Sequence, residues 1–173
     1  LPVWTMEAFA RAMLYDVDHD GFASLDDFLD YSGGASVAPA SVFVHLAGLK
    51  KTNGIFLQPA FDVKAVATPC AIFSYIVHII RDFQKDQLNN LNYFADDLVA
   101  NCGLTRQDLR EFAEGRPVNA PFRELIGTYY DLADRYRRET LLMLEKIRPL
   151  VEPRYQLSLE IIFDLYLMVF ERI

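Results

Sequence analysis

From Ala65 to Ile80 the chain is almost continuously apolar, broken only by Thr68, Pro69, Ser74 and His78. A membrane span needs roughly 20 largely apolar residues. The run is shorter and carries polar interruptions, so it predicts a buried helix and no transmembrane segment. A helix that is apolar on all sides needs other elements around it, and the rest of the sequence supplies them as helices. Met6 to Tyr15 has apolar residues at 6, 9, 10, 13 and 14, the spacing of one helix face. Ser24 is a good N-cap for Leu25 to Tyr31, and Asp26 and Asp27 suit a helix start.

Gly33-Gly34 interrupts, and Pro39 opens a helix to Leu46. Lys50-Lys51-Thr52-Asn53-Gly54 is a turn followed by the short run Ile55 to Leu57. A long helix is expected from about Asp62 to Leu88, kinked near Pro69. After the break at Asn89-Asn90-Leu91-Asn92 come short helices over Ala95 to Asn101 and Arg106 to Ala113, the second capped by Thr105. Pro121 to Ile147 and Pro153 to Ile173 complete the series. Strand alternation is not convincing anywhere, and no linker divides the chain. The expected fold is a single all-α domain over residues 1–173, with helices packed around an apolar interior.

Composition narrows the function classes. The 173 residues are 52% hydrophobic and 24% charged, which excludes intrinsic disorder. A net charge of −7 argues against general nucleic-acid binding, which needs basic surface against phosphates. Cys70 and Cys102 suit neither a disulfide framework nor a zinc site, so a reducing, cytoplasmic compartment is the expectation. The opening Leu1-Pro2-Val3-Trp4 lacks the pattern of a secretion signal.

Three segments can carry chemistry. Asp16-Val-Asp18-His-Asp20-Gly21, continuing to Asp27, follows the calcium-loop template D-x-D-x-D-G with an acid at position twelve. Asp27 is shorter than the usual bidentate Glu, and no second loop accompanies it. An acidic turn between two helices is the other reading. In the second segment, Asp82 and Asp86 are spaced i, i+4, and Tyr75 and His78 extend the same face backwards. This stripe either faces water or lines a cavity, where two carboxylates and substrate phosphates suit Mg²⁺. Arg81 falls off the Asp face by its spacing. The third segment, Tyr31-Ser-Gly33-Gly34-Ala35-Ser36, has small residues that allow close approach of another helix or of a ligand.

Taken in order, these segments resemble the squalene/phytoene synthase family of head-to-head prenyl transferases. The family's second aspartate-rich motif, an Asp-x-x-x-Asp after an apolar helix and an Ile/Leu-Arg pair, stands here as Ile80-Arg81-Asp82-Phe83-Gln84-Lys85-Asp86. The aromatic pair with downstream acids stands as Tyr93-Phe94-Ala95-Asp96-Asp97, with Ala95 where the family often has Pro. Phe22 to Phe28 with Tyr31 is similar to the segment before the family's small-residue active-site helix, and Asp16 falls where an acid is usual. Tyr166 to Ile173 is similar to its final helix.

The resemblance implies an isoprenoid-synthase-type helical bundle around a central cavity, here as the C-terminal portion without the N-terminal helices. It implies a prenyl diphosphate substrate such as farnesyl diphosphate, and Mg²⁺ held by Asp82 and Asp86. Tyr31, Asp82 and Asp86 would be catalytic, and Tyr75, His78, Arg81 and Tyr93 would bind substrate. Gln and Asn are usual in the family at the positions of Tyr75 and His78, and its first aspartate-rich motif has no counterpart here. A prenyl-diphosphate-binding member without turnover, and a non-catalytic calcium-binding module on Asp16 to Asp27, are the alternatives. Peripheral membrane contact for product release and self-association of the exposed apolar surface belong to the same expectation.

Overall fold

The computed structural model describes residues 1–18 and 21–173. His19 and Asp20 lie outside the described residues, so the third acid of the calcium-like template does too. Helix α1 runs over Val3–Val17 and α2 over Leu25–Ser32. Ser24 caps α2 as expected, and does so reciprocally: its side chain accepts from the Asp27 N–H, and the Asp27 carboxylate accepts from the Ser24 N–H. Asp27, twelfth in the template, is thereby engaged as a helix cap.

Gly33-Gly34 does not break the chain's helical path. A π-helical segment, Gly33–Val37, passes directly into α3, Ala38–Gly48. The reason is packing. A β-carbon on Gly34 would collide with the Ala8 carbonyl and come within 2.9 Å of the Ala12 β-carbon. The small residues therefore let α1 lie against this segment.

A two-stranded antiparallel hairpin, β1 Lys50–Thr52 and β2 Ile55–Leu57, follows where the sequence suggested only a turn and a short run. Asn53 and Gly54 both take positive φ, +50° and +82°, which is the backbone a two-residue hairpin turn requires. The hairpin is exposed and leaves the architecture all-α.

The apolar run forms α4, Val63–Arg81, capped by the Asp62 side chain. The expected helix to Leu88 is divided at Asp82. Pro69 is buried inside α4, while Asp82 (φ −92°, ψ 6°) ends α4 and precedes α5, Phe83–Leu88. Hydrogen bonds from Asp82 N–H to the His78 carbonyl (2.8 Å) and from Asp86 N–H to the Asp82 carbonyl (2.9 Å) carry the chain direction across the break.

Helices α6 (Asp96–Asn101), α7 (Arg106–Ala113), α8 (Ala120–Ile147) and α9 (Pro153–Phe170) complete the bundle. By length and composition α4 could cross a membrane. In this fold its apolar surface packs against α3, α8 and α9 instead. Phe73, Ile76 and Val77 of α4 are fully buried among Phe28 of α2 and Leu125, Tyr129 and Ala133 of α8. Burying each such side chain stabilises the fold by about 1.5–3 kcal/mol.

Candidate functional site

The predicted stripe is shared between two helices: Tyr75 and His78 lie on α4, Asp82 at its end and Asp86 on α5. Tyr75, His78, Asp82 and Asp86 are each half-buried, between the closed core residues Ile76, Val77 and Ile79 and the exposed Arg81 and Lys85. Asp86 has its carboxyl raised, first by burial and then by the neighbouring Asp82 charge. Two carboxylates repelling in partial burial favour a cation between them.

Arg81 departs from its expected position. It turns onto Asp82, its Nε donating to Oδ1 at 2.8 Å and its Nη2 to Oδ2 at 2.7 Å. The end of the helix at Asp82 frees that carboxylate to meet the preceding side chain, which helical spacing alone would not allow. This pair holds Asp82 below the usual carboxylate range. It is exposed on the Arg side, and such pairs contribute about 0–1 kcal/mol, so a divalent ion can displace it. Among the described residues no group of three or more His, Cys, Asp or Glu side chains converges. A pair of carboxylates such as Asp82 and Asp86 is chemically suited to a hard divalent cation whose remaining ligands are phosphates and waters.

Next to the acids stands a set of phenols. Tyr75 is hydrogen-bonded to Tyr31 on one side and to Tyr93 on the other. Burial raises the pKa of all three, so each remains a neutral hydroxyl. Tyr31 projects from α2 and reaches Asp16 of α1 at 2.7 Å. Tyr93 lies in the segment between α5 and α6. Gln87 Nε2 donates to Asn92 Oδ1 there, and Asn92 Nδ2 in turn donates to the Phe94 carbonyl. The Ala95 N–H completes the anchoring by donating to the hydroxyl of the buried Tyr129 at 2.8 Å.

Beyond Tyr75 and His78 an apolar cavity of about 400 Å³ opens between α3, α4, α8 and α9. Its volume falls within the range of small-molecule sites, roughly 300–1,000 Å³. His78 packs against Tyr166 in its wall, ring centroids 5.2 Å apart. Burial lowers the His78 pKa, with Arg81 acting in the same sense, so the imidazole is neutral. The Cys70 thiol in the wall is pushed up to about 11 by burial and is inert. Ser36 and Ser74 also line the cavity, but both hydroxyls donate to the Ala71 carbonyl, at 2.8 and 2.9 Å, and so turn an apolar face inward.

Of the seven residues singled out in the sequence, Tyr75 and His78 line the apolar cavity, Tyr31 and Tyr93 meet Tyr75, and Arg81 pairs with Asp82, one turn before Asp86. Sequence reasoning gave Asp16 a role only as the first acid of the calcium-like loop, and gave Tyr166 none. Asp16 was visible as an acid at a family position; Tyr166 carried no signal, because its aromatic neighbours at helical spacing read as core.

The sequence profile of the squalene/phytoene synthase family matches residues 1–173. The chain belongs to that family. A comparison with curated proteins finds no significant match. Among solved structures, the squalene synthase HpnC from Alicyclobacillus acidocaldarius superposes with a TM-score of 0.82 at 16% identity. At that identity the likeness is one of fold. The alignment covers 99% of this chain and 59% of the HpnC chain, so the chain spans less than two-thirds of the length of this relative.

Proposed function

We propose that this squalene/phytoene synthase family chain forms one wall of a head-to-head prenyl transferase site acting on isoprenoid diphosphates such as farnesyl diphosphate. The observation that carries this is positional. The paired carboxylates Asp82 and Asp86 lie on the same face of the α4–α5 run as Tyr75 and His78, which border an apolar cavity. A ligand with an anionic head and an apolar tail matches that arrangement end for end.

Asp82 and Asp86 would hold Mg²⁺, which when bound supplies the positive charge that a departing diphosphate needs. Arg81 would exchange its carboxylate partner for the phosphate oxygens, a planar guanidinium being suited to both. Tyr31, Tyr75 and Tyr93, neutral and pointing together, would donate hydrogen bonds to the leaving group. Tyr31 would relay a proton, accepting one at its hydroxyl oxygen as its own passes to the Asp16 carboxylate. The cavity walls would exclude water from a reactive allylic cation, and the faces of Tyr75 and Tyr166 would stabilise it by cation–π attraction.

The chain would work in a reducing cytoplasmic setting, with exposed apolar side chains such as Leu157, Leu165 and Met168 of α9 available for self-association or peripheral membrane contact. The test is calorimetric titration of farnesyl diphosphate with and without Mg²⁺. Asp82→Asn and Asp86→Asn should each abolish the Mg²⁺-dependent component while leaving helicity intact. Unchanged affinity in both variants would remove this site from the account.

A further inference from the structure

Residues 31–61 contain no Asp or Glu, although the chain carries 24 of them, and the charged side chains of this stretch are Lys50 and Lys51. Both lysines lie on β1, and every residue of the β1 and β2 strands is exposed. The second strand presents three large apolar side chains to water, Ile55 at 66%, Phe56 at 61% and Leu57 at 50% exposure. Phe43 and Leu46, one turn apart on α3, add exposed apolar surface just before the hairpin. In a chain of net charge −7, an exposed stretch that is apolar, basic and free of carboxylates marks a contact surface.

The hairpin is fixed at its base. A β-carbon on Gly48 would come within 2.7 Å of the Phe61 ring and 2.9 Å of Pro59, so the chain leaving β2 packs against the end of α3. Lys51 stands over the Phe56 ring, its Nζ 5.5 Å from the centroid. Asp62, the next acid along the chain, is turned away, accepting from the Ala65 N–H at 3.0 Å as the α4 cap. Glu152, beside Val151 of the apolar cluster that also holds Val44 and Ala47, pairs with Arg154 at 3.0 Å. The position also ties the hairpin to the cavity, because Pro39 and Phe43 are exposed and line it as well. Helix α4 runs roughly 28 Å from Val63 to Asp82, and the hairpin precedes its first turn, at the end away from the carboxylates.

We infer that the β1–β2 hairpin, together with Phe43 and Leu46, docks on the surface of an anionic lipid bilayer. The inference deepens the peripheral contact of the proposed function, and it stands on the hairpin whether or not Asp82 and Asp86 hold a cation. Ile55, Phe56 and Leu57 enter the boundary between headgroups and acyl chains, while Lys50 and Lys51 extend their ammonium groups to the lipid phosphates. The charge of the whole chain sets the orientation: an anionic surface repels the acid-bearing remainder and attracts the lysine-bearing stretch. The exposed apolar stripe of α9 is less suited, because Asp164 stands among Leu157, Ile161 and Leu165 and would be desolvated with them. Pairing of two copies along β1 would bring their lysines together. With the hairpin seated, the cavity rim at Pro39 and Phe43 faces acyl chains, and an apolar ligand passes between bilayer and cavity without crossing water.

The experiment sediments the 173-residue chain with vesicles of phosphatidylcholine alone and of phosphatidylcholine mixed with phosphatidylglycerol, without Mg²⁺ or prenyl diphosphate. Binding to the mixed vesicles should be at least about tenfold tighter, as two lysines near an anionic surface provide, and should weaken with added salt. Lys50→Gln combined with Lys51→Gln should bring the two vesicle types to within about twofold of each other. Phe56→Ser should weaken binding to the mixed vesicles at least about tenfold. Leu157→Ser on α9 should leave it unchanged.

Circular dichroism and melting temperature accompany each variant. Trp4 is the single tryptophan, so Trp4→Phe combined with Phe56→Trp places a fluorescent probe in the hairpin, and its emission should shift to the blue on mixed vesicles. If Phe56→Ser loses helicity, that probe carries the comparison. Absence of binding to mixed vesicles, undiminished preference in the lysine variant, an unshifted probe, or loss of binding in a folded Leu157→Ser chain each overturns the inference. A dimer in lipid-free solution that Phe56→Ser dissociates overturns it too, by assigning the surface to a second copy. The farnesyl diphosphate titration with Mg²⁺ tests the proposed function separately.

Discussion

Tyr31 donates a 2.7 Å hydrogen bond to the carboxylate of Asp16, joining the last turn of α2 to the last turn of α1. The contact is reinforced by rings. Tyr15, adjacent to Asp16, lies 5.4 Å from Tyr31 and stacks on Phe22 at 5.6 Å, and its hydroxyl donates to the Gly21 carbonyl. The ends of α1 and α2 are thus clamped on either side of the acidic loop. Burial first, and the Asp16 contact second, hold the Tyr31 phenol far above its ordinary pKa.

A double-mutant cycle on Tyr31→Phe and Asp16→Asn should return a coupling of about 1 kcal/mol by urea unfolding. That is the low side for a bond to a charged acceptor, because Asp16 is exposed. A coupling below about 0.3 kcal/mol would mean that the clamp is the aromatic stack alone.

Asp86 predicts an opposition between binding and stability. Its folded-state pKa is raised by burial and by Asp82, so between the unfolded and folded values the native chain binds the extra proton. Stability from this group is present below the unfolded value and is lost as pH rises through the folded value. Asp86→Asn, which never ionises, should therefore melt higher than wild type at pH 7, and the gap should close as pH falls below the ordinary Asp range. The same variant should lose Mg²⁺-dependent diphosphate binding. A lower melting point at pH 7 would contradict the assigned strain.

The adjacent glycines should behave in opposite ways. Gly34→Ala drives a methyl into the Ala8 carbonyl and toward Ala12, and should cost about 1–3 kcal/mol as overpacking does. Gly33 is in right-handed helical geometry with nothing within 4 Å of a built β-carbon. Gly33→Ala should be neutral or stabilise by up to about 1 kcal/mol. Chemical unfolding of both variants checks the contrast.

Micromolar calcium should leave the melting temperature unchanged, because Asp27 is engaged as the α2 cap and Asp16 accepts from Tyr31. A ligand that bound only the folded chain would raise it. A saturable rise, lost in Asp16→Ala, would revive the calcium module.

The 173-residue chain by itself should bind farnesyl diphosphate without turning it over. On the proposed reading, Asp82 and Asp86 would hold the leaving group from one side through Mg²⁺, and ionisation needs it held in a closed, dry site. The assay is diphosphate release. Turnover by this chain alone would show that one aspartate pair suffices.

Much of this was legible in the residues. The all-α class followed from helical spacing and the apolar run. The Ser24 and Thr105 caps appeared with the partners their types predict, Asp27 and Asp108. The alignment of Tyr75, His78, Asp82 and Asp86 is a property of helical period, and it survives because the hydrogen bonds around Asp82 keep the turn going. These features depend on neighbours within a few positions along the chain.

What only the tertiary structure decided lies across long sequence separations. Neither the close approach of α1 at Gly34 nor the packing of His78 against Tyr166 has a local signature. The Tyr31–Tyr75–Tyr93 set draws on α2, α4 and the segment after α5, three places that sequence spacing cannot relate. Periodicity specifies which side of a helix is apolar or polar; which other side chains that face meets depends on how the helices pack, and packing is a property of the whole chain.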